Sequence, residues 1–181
     1  MEWFGSADPT LGPVNNDLQQ ANAQTVLQNV GADLFGLVEV VDTARLGTIV
    51  RNMPGYSYVV CNYGSHVNPF ESGASPIGDA QKEAFVYTET SMFSNITTTA
   101  LLTNGVNTAA DLSNPAYNYW ASGRYPFMMT ADVTLNCVTK QVRFVLVHAK
   151  ANTSPTATAY DRRKERGRLI IFCIKPTIPQ R

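Results

Sequence analysis

Glu39 stands inside Leu37-Val38-Glu39-Val40-Val41, where a carboxylate costs several kcal/mol unless it is paired or bound to a cation. It therefore belongs where a strand ends at a polar cleft, either in a salt bridge or as a hard-cation ligand. The hard-cation reading fits Mg²⁺, whose sites typically use one or two carboxylates and leave the other positions to water and phosphate. His148 closes a second apolar stretch, Val142-Arg143-Phe144-Val145-Leu146-Val147, with Lys150 and Asn152 just beyond. A histidine there is a hydrogen-bonded structural residue or a proton carrier. Arg124 opens Tyr125-Pro126-Phe127-Met128-Met129; it reads as an ordinary exposed arginine, or as a phosphate contact if its strand opens onto the same cleft. Tyr87 ends another strand. The loop residue His66 reads as structural.

The elements that must carry these residues follow from periodicity. Asp17 is placed to cap a helix that turns Ala23, Val26, Leu27 and Val30 inward and stops at Gly31. The segment 34–41 is too short and too apolar to be anything but a buried strand. A second helix starts at Asp42 and points Leu46, Ile49 and Val50 inward, and strands are expected at 56–61, 84–87, 96–102, 125–135 and 141–147. The Gly-, Pro- and Asn-containing stretch 62–80 and the Asn/Ala/Ser-rich stretch 103–122 read as loops. A last helix is expected from 156 to about 172, ended by Pro176. Helix, strand, helix and then mostly strands make a mixed α/β layered domain without internal repeats, an α+β arrangement.

Composition narrows the class. With 44% hydrophobic residues the 181-residue chain buries a real core, which excludes a disordered chain or a disulfide-stapled miniprotein. No apolar run reaches the ~18 residues of a membrane span, and no charged-then-apolar leader opens the sequence. The 14 Asn and 18 Thr outnumber the 28 charged residues, a surface that weakly suggests an exported bacterial protein. Charge is divided unevenly: residues 1–160 hold 7 basic and 12 acidic side chains, net −5, and residues 161–181 hold 7 and 2, net +5. The run Arg162, Arg163, Lys164, Arg166, Arg168 reads as a solvated helix face, with a phosphate-backbone contact as the alternative. Cys61, Cys137 and Cys173 form no CxxC pair, so no thiolate metal site is supported; a Cys61–Cys137 bridge remains open if the protein is exported.

In order, Glu2-Trp3-Phe4-Gly5, Ala32-Asp33-Leu34-Phe35-Gly36-Leu37-Val38-Glu39-Val40, Ala84-Phe85-Val86-Tyr87, Gly123-Arg124-Tyr125-Pro126 and Val145-Leu146-Val147-His148-Ala149-Lys150-Ala151 resemble the endonuclease/exonuclease/phosphatase superfamily. The resemblance implies a deoxyribonuclease-like β-sandwich flanked by helices. It also implies roles: Glu39 as the metal-binding glutamate for Mg²⁺ or Mn²⁺, His148 as the histidine on the scissile phosphate, and Arg124 as a phosphate contact. Tyr87 sits on the supporting strand. Either Gln81 or Glu83, two residues apart and so on one strand face, would orient His148.

The family's metal-site asparagine before the Glu-Trp-Phe segment, its Gly-Asp-x-Asn motif and its Asp-His pair have no match in this sequence. The chain thus reads as a single, incomplete domain of that family, over residues 1–181. The expected parent activity is metal-dependent phosphodiester hydrolysis, most plausibly of nucleic acid. The alternatives are a non-catalytic remnant and a phosphomonoesterase of the same fold acting on lipid or sugar phosphates. Only three Lys fall in residues 1–160, which argues against a broad basic nucleic-acid surface.

Two spatial expectations follow. Glu39 and His148 lie at one end of the sheets, within roughly 12 Å, the room needed for a metal and a phosphate. Arg124 faces that cleft and the 162–168 run does not. Charge reversal at Arg163 and Arg166 should therefore leave nucleic-acid binding by an intact parent nearly unchanged in filter-binding titrations. A tenfold loss, about 1.4 kcal/mol, would place the run in the binding surface.

Overall fold

The computed structural model describes residues 1–8, 10–65, 80–90, 92–103, 124–149 and 160. Two three-stranded antiparallel sheets lie face to face, with two helices on the outer face of the first, an α+β sandwich. The first sheet has the order β1 (Leu34–Val40), β3 (Lys82–Thr88), β2 (Tyr56–Gly64). The second has the order β4 (Phe93–Ala100), β5 (Phe127–Leu135), β6 (Val138–Leu146).

The alternation of β3 explains the layering. Ala84 and Val86 face the helices and join Phe4, Leu27, Val40, Leu46, Ile49 and Val50 in one core, while Phe85 faces the second sheet and packs with Cys61, Phe127 and Met129 in another. Phe85 and Phe127 stack across the gap with ring centroids 5.5 Å apart. A Cβ added to Gly36 would stand 3.0 Å from Leu146 Cδ1, so the bare backbone of β1 is what lets β6 approach it.

Two of the three expected helices are present, and the third, from 156 to about 172, lies apart from Tyr160 outside the described residues. Helix α2 (Thr43–Arg51) is capped by Asp42, whose side chain accepts from Arg45 N at 2.9 Å, and it buries Leu46, Ile49 and Val50 as its spacing requires. Helix α1 (Asn16–Val30) ends at Gly31, which is left-handed with φ 56°. Its cap is Asn15 rather than Asp17; Asp17 lies in the first turn and pairs with Arg45 Nη1 at 2.7 Å. The helix touches the core through Ala23 and Leu27 only. Val26 and Val30 are 59% and 62% exposed, contrary to the inward positions expected of them. Val26 lines an open groove of about 630 Å³ beside Met1, Phe4 and Leu37. No described helix is long and apolar enough to cross a membrane.

β6 begins three residues earlier than expected, because Asn136 and Cys137, with φ 51° and 62°, close a two-residue hairpin that pairs Leu135 with Val138. β2 runs on to Gly64, so 62–64 are strand and not loop. His66, the bulk of both expected loops, Lys150, Asn152 and the basic run lie outside the described residues.

Cys61 and Cys137 are not bridged: Cys61 is buried between the sheets and Cys137 is exposed on the hairpin. Burial pushes the Cys61 thiol up to about 12, and a protonated thiol is a poor nucleophile. In a Cys173→Ser chain, iodoacetamide is expected to label Cys137 alone in the native state and both thiols after denaturation. Equal labelling of both in the native state would contradict the packing of the two sheets.

Candidate active site

Glu39 owes its position to one extra residue in β1. Leu37 pairs with Ala84 and Val40 with Lys82, so three steps along β1 match two along β3. Had the alternation continued, residue 39 would have joined Phe35 and Leu37 on the helix face. The irregularity gives that place to Val40, which is fully buried, and turns Glu39 out at the end of the sheet. Glu39 takes φ 63° to do so, a left-handed conformation costing about 1–2 kcal/mol in a non-glycine residue.

The opening residues hold it there. Phe4 makes a parallel bridge to Val40, and its N–H donates to Glu39 O at 2.9 Å. Trp3 N–H donates to Glu39 Oε2 at 3.1 Å. Gly5, with φ 75°, lies where a Cβ would come within 2.4 Å of Asp42 Cβ, so only glycine lets this segment press against the α2 cap. The sequence singled out Trp3-Phe4-Gly5 as a motif, but the part played by the Trp3 N–H depends on a contact 36 residues away.

Four further side chains meet Glu39 at the same end of the sandwich. His148, just beyond β6, places Nε2 3.1 Å from Glu39 Oε1, and the two side chains are only 12% and 23% exposed. The expectation that these two residues share one end is met with room to spare. Glu83, 2% exposed on the inter-sheet face of β3, accepts from the His148 main-chain N–H at 2.6 Å. Arg124, immediately before β5, donates through Nη1 to Gln81 Oε1. Thus Glu83 contacts His148, and Gln81 contacts the arginine.

Burial pushes the Arg124 pKa below its ordinary value, while the nearby Glu39 and Glu83 carboxylates act in the opposite direction. Arg124 is therefore within electrostatic reach of both acids. Tyr87 is not part of the cluster. It pairs with Leu34 at the other end of β3, about 17 Å of strand from Lys82, and packs edge-on against Phe93.

Among the described residues no three His, Cys, Asp or Glu side chains form a group able to hold a metal ion. Of the two carboxylates in the cluster, Glu39 is partly exposed and Glu83 is buried. The Glu39 oxygens face His148 and the Trp3 N–H, and each retains a second lone pair. The donor chemistry suits a hard divalent cation, with water and a phosphate completing the shell.

No family model matches the sequence, and no curated protein does. The fold is shared with a crystal structure of an endonuclease/exonuclease/phosphatase from Beutenbergia cavernae DSM 12333, with a TM-score of 0.52 at 16% identity. The match covers 95% of this chain and 42% of that one, so the chain spans less than half the length of this structural neighbour.

The left-handed backbone at Glu39 makes an unusual comparison decisive. Glycine is ordinarily the weaker residue in a strand. Here Glu39→Gly is expected to be more stable than Glu39→Ala by about 1 kcal/mol, since both lose the carboxylate and only alanine keeps the left-handed penalty. Urea unfolding midpoints of the two variants measure the difference; alanine being the more stable would contradict the local geometry described for β1.

Proposed function

We propose that this chain, with its endonuclease/exonuclease/phosphatase fold, carries the cation- and phosphate-holding side of a metal-dependent phosphodiester hydrolase acting on nucleic acid. The observation that supports this reading is the meeting of Glu39, His148 and Arg124 at one end of the sandwich. Mg²⁺ or Mn²⁺ held by Glu39 would supply Lewis-acid polarisation of the phosphate. His148 Nε2 is the group that donates to, or carries a proton for, a phosphoryl or leaving oxygen. Arg124 supplies a partly buried positive charge against the charge that develops on the phosphate. Glu83 holds the His148 backbone, and so the imidazole, at the cleft.

The net charge of −5 over residues 1–160 favours a second reading, a hydrolase of small lipid or sugar phosphoesters, which needs no extended basic surface. Competition between the two substrate classes for the same site separates them.

The expected behaviour of the purified chain is weak Mn²⁺ binding, followed by the loss of the free-ion EPR signal, and mutual strengthening of Mn²⁺ and bis(4-nitrophenyl) phosphate. Glu39→Gln should weaken Mn²⁺ binding at least tenfold, and His148→Ala should weaken the diester. Binding of both that is indifferent to both substitutions would overturn the assignment. Plasmid nicking by the 181-residue chain in Mg²⁺ or Mn²⁺ is expected to stay at background, because one glutamate holds the cation loosely and, among the described residues, no separate base stands beside it to activate water. Robust nicking that disappears in the Glu39→Ala, His148→Ala double variant would show that residues 1–181 already contain a complete site.

A further inference from the structure

We infer that Gln81 is a positioning residue for Arg124, and that its neutrality is what leaves the arginine's charge available to a phosphodiester anion. The inference rests on the proposed phosphate-holding role of the cleft and adds a residue whose side chain need not touch the substrate.

Gln81 is built to hold something still. It is 2% exposed and lies just ahead of β3. Its main chain is fastened on both sides to Ser65 at the end of β2: Gln81 N–H donates to Ser65 Oγ at 3.1 Å, and Ser65 N–H donates to Gln81 O at 3.1 Å. With the backbone fixed, the side-chain carbonyl reaches Arg124 Nη1. The arginine is anchored from its other side as well, since the neighbouring Tyr125 is 1% exposed and packs edge-on against Tyr63 with ring centroids 5.5 Å apart. The buried Arg124 Nε makes no hydrogen bond among the described residues. Among the described residues the guanidinium thus meets the Gln81 side-chain carbonyl, and Nε keeps its donor capacity.

Charge explains why that acceptor is an amide. Arg124 already lies in the field of two carboxylates, Glu39 and Glu83. A third carboxylate in direct contact would form a buried ion pair and cancel the attraction that an incoming phosphate needs. Glutamine supplies the same acceptor geometry with no charge. The cleft then keeps an acid for a cation and a free positive charge for an anion, side by side.

Three substitutions separate this role from simple packing. Gln81→Glu retains shape and acceptor; it is expected to weaken bis(4-nitrophenyl) phosphate at least tenfold in ³¹P NMR titrations and to tighten Mn²⁺, opposite signs that a structural role does not produce. Gln81→Met removes the acceptor at similar size; it is expected to weaken the diester and leave Mn²⁺ alone. Arg124→Met reports on the functional reading itself. If it leaves diester affinity unchanged, the phosphate-holding role of the cleft fails; if it weakens the diester while both Gln81 variants bind as the parent does, only the role of Gln81 fails. Nitrogen-15 NMR of the Arg124 side chain gives an answer without any ligand. Guanidinium rotation should be hindered in the parent and in Gln81→Glu and faster in Gln81→Met, and equal rotation in all three overturns the inference.

Discussion

One extra residue in β1 decides where Glu39 stands. A regular strand would carry Glu39 onto the helix face among Phe35, Leu37, Ala84 and Val86, where an isolated carboxylate has no water and no counter-charge. The irregularity between Leu37 and Val40 exchanges that outcome for a left-handed residue. The exchange is favourable because the backbone penalty, about 1–2 kcal/mol, is smaller than the desolvation of a carboxylate. It also leaves Val40 to complete the core against Phe4 and α2. The placement of Glu39 and the packing of the core are therefore two consequences of the same local event.

The cluster that results is electrostatically mixed. Glu39 and Glu83 bring negative charge, Arg124 brings positive charge, and His148 bridges the two acids through its ring and its main chain. In partial burial such charges act more strongly on each other than they would in water. A site that must accept a cation and an anion together needs both signs close by, neither fully neutralised by the other. Glu83 contacts His148 through its main chain, and Gln81 contacts Arg124.

The likeness to the endonuclease/exonuclease/phosphatase structure is one of architecture, at 16% identity. Two packed sheets with helices on one face need alternation and volume, which many sequences provide, and a shared fold leaves the chemistry open. The functional reading accordingly stands on side chains of this chain. Glu39, His148 and Arg124 come from the ends of three different strands and are separated by more than a hundred residues at the extremes, so their meeting follows from the sandwich and from nothing local.

What the sequence determined by itself was whatever depends on near neighbours. The strand cores, the Asp42 cap, the Gly31 stop and the inward face of α2 follow from local periodicity and turn chemistry. Glu39 was conspicuous because a charge interrupted an apolar run, and His148 and Arg124 because they bounded such runs. The resemblance carried by five ordered motifs supplied the fold, which the structure shares. Only the tertiary structure could decide which acceptor serves which donor. Gln81 and Glu83 occupy equivalent positions in any reading of β3, and the assignment of one to Arg124 and the other to His148 depends on contacts 43 and 65 residues away. Tyr87 looked like a site residue because it ends a strand, but antiparallel pairing sends that end away from the cleft. Val26 and Val30 looked buried because periodicity reports which face of a helix is apolar, while burial depends on whether another element arrives to cover it.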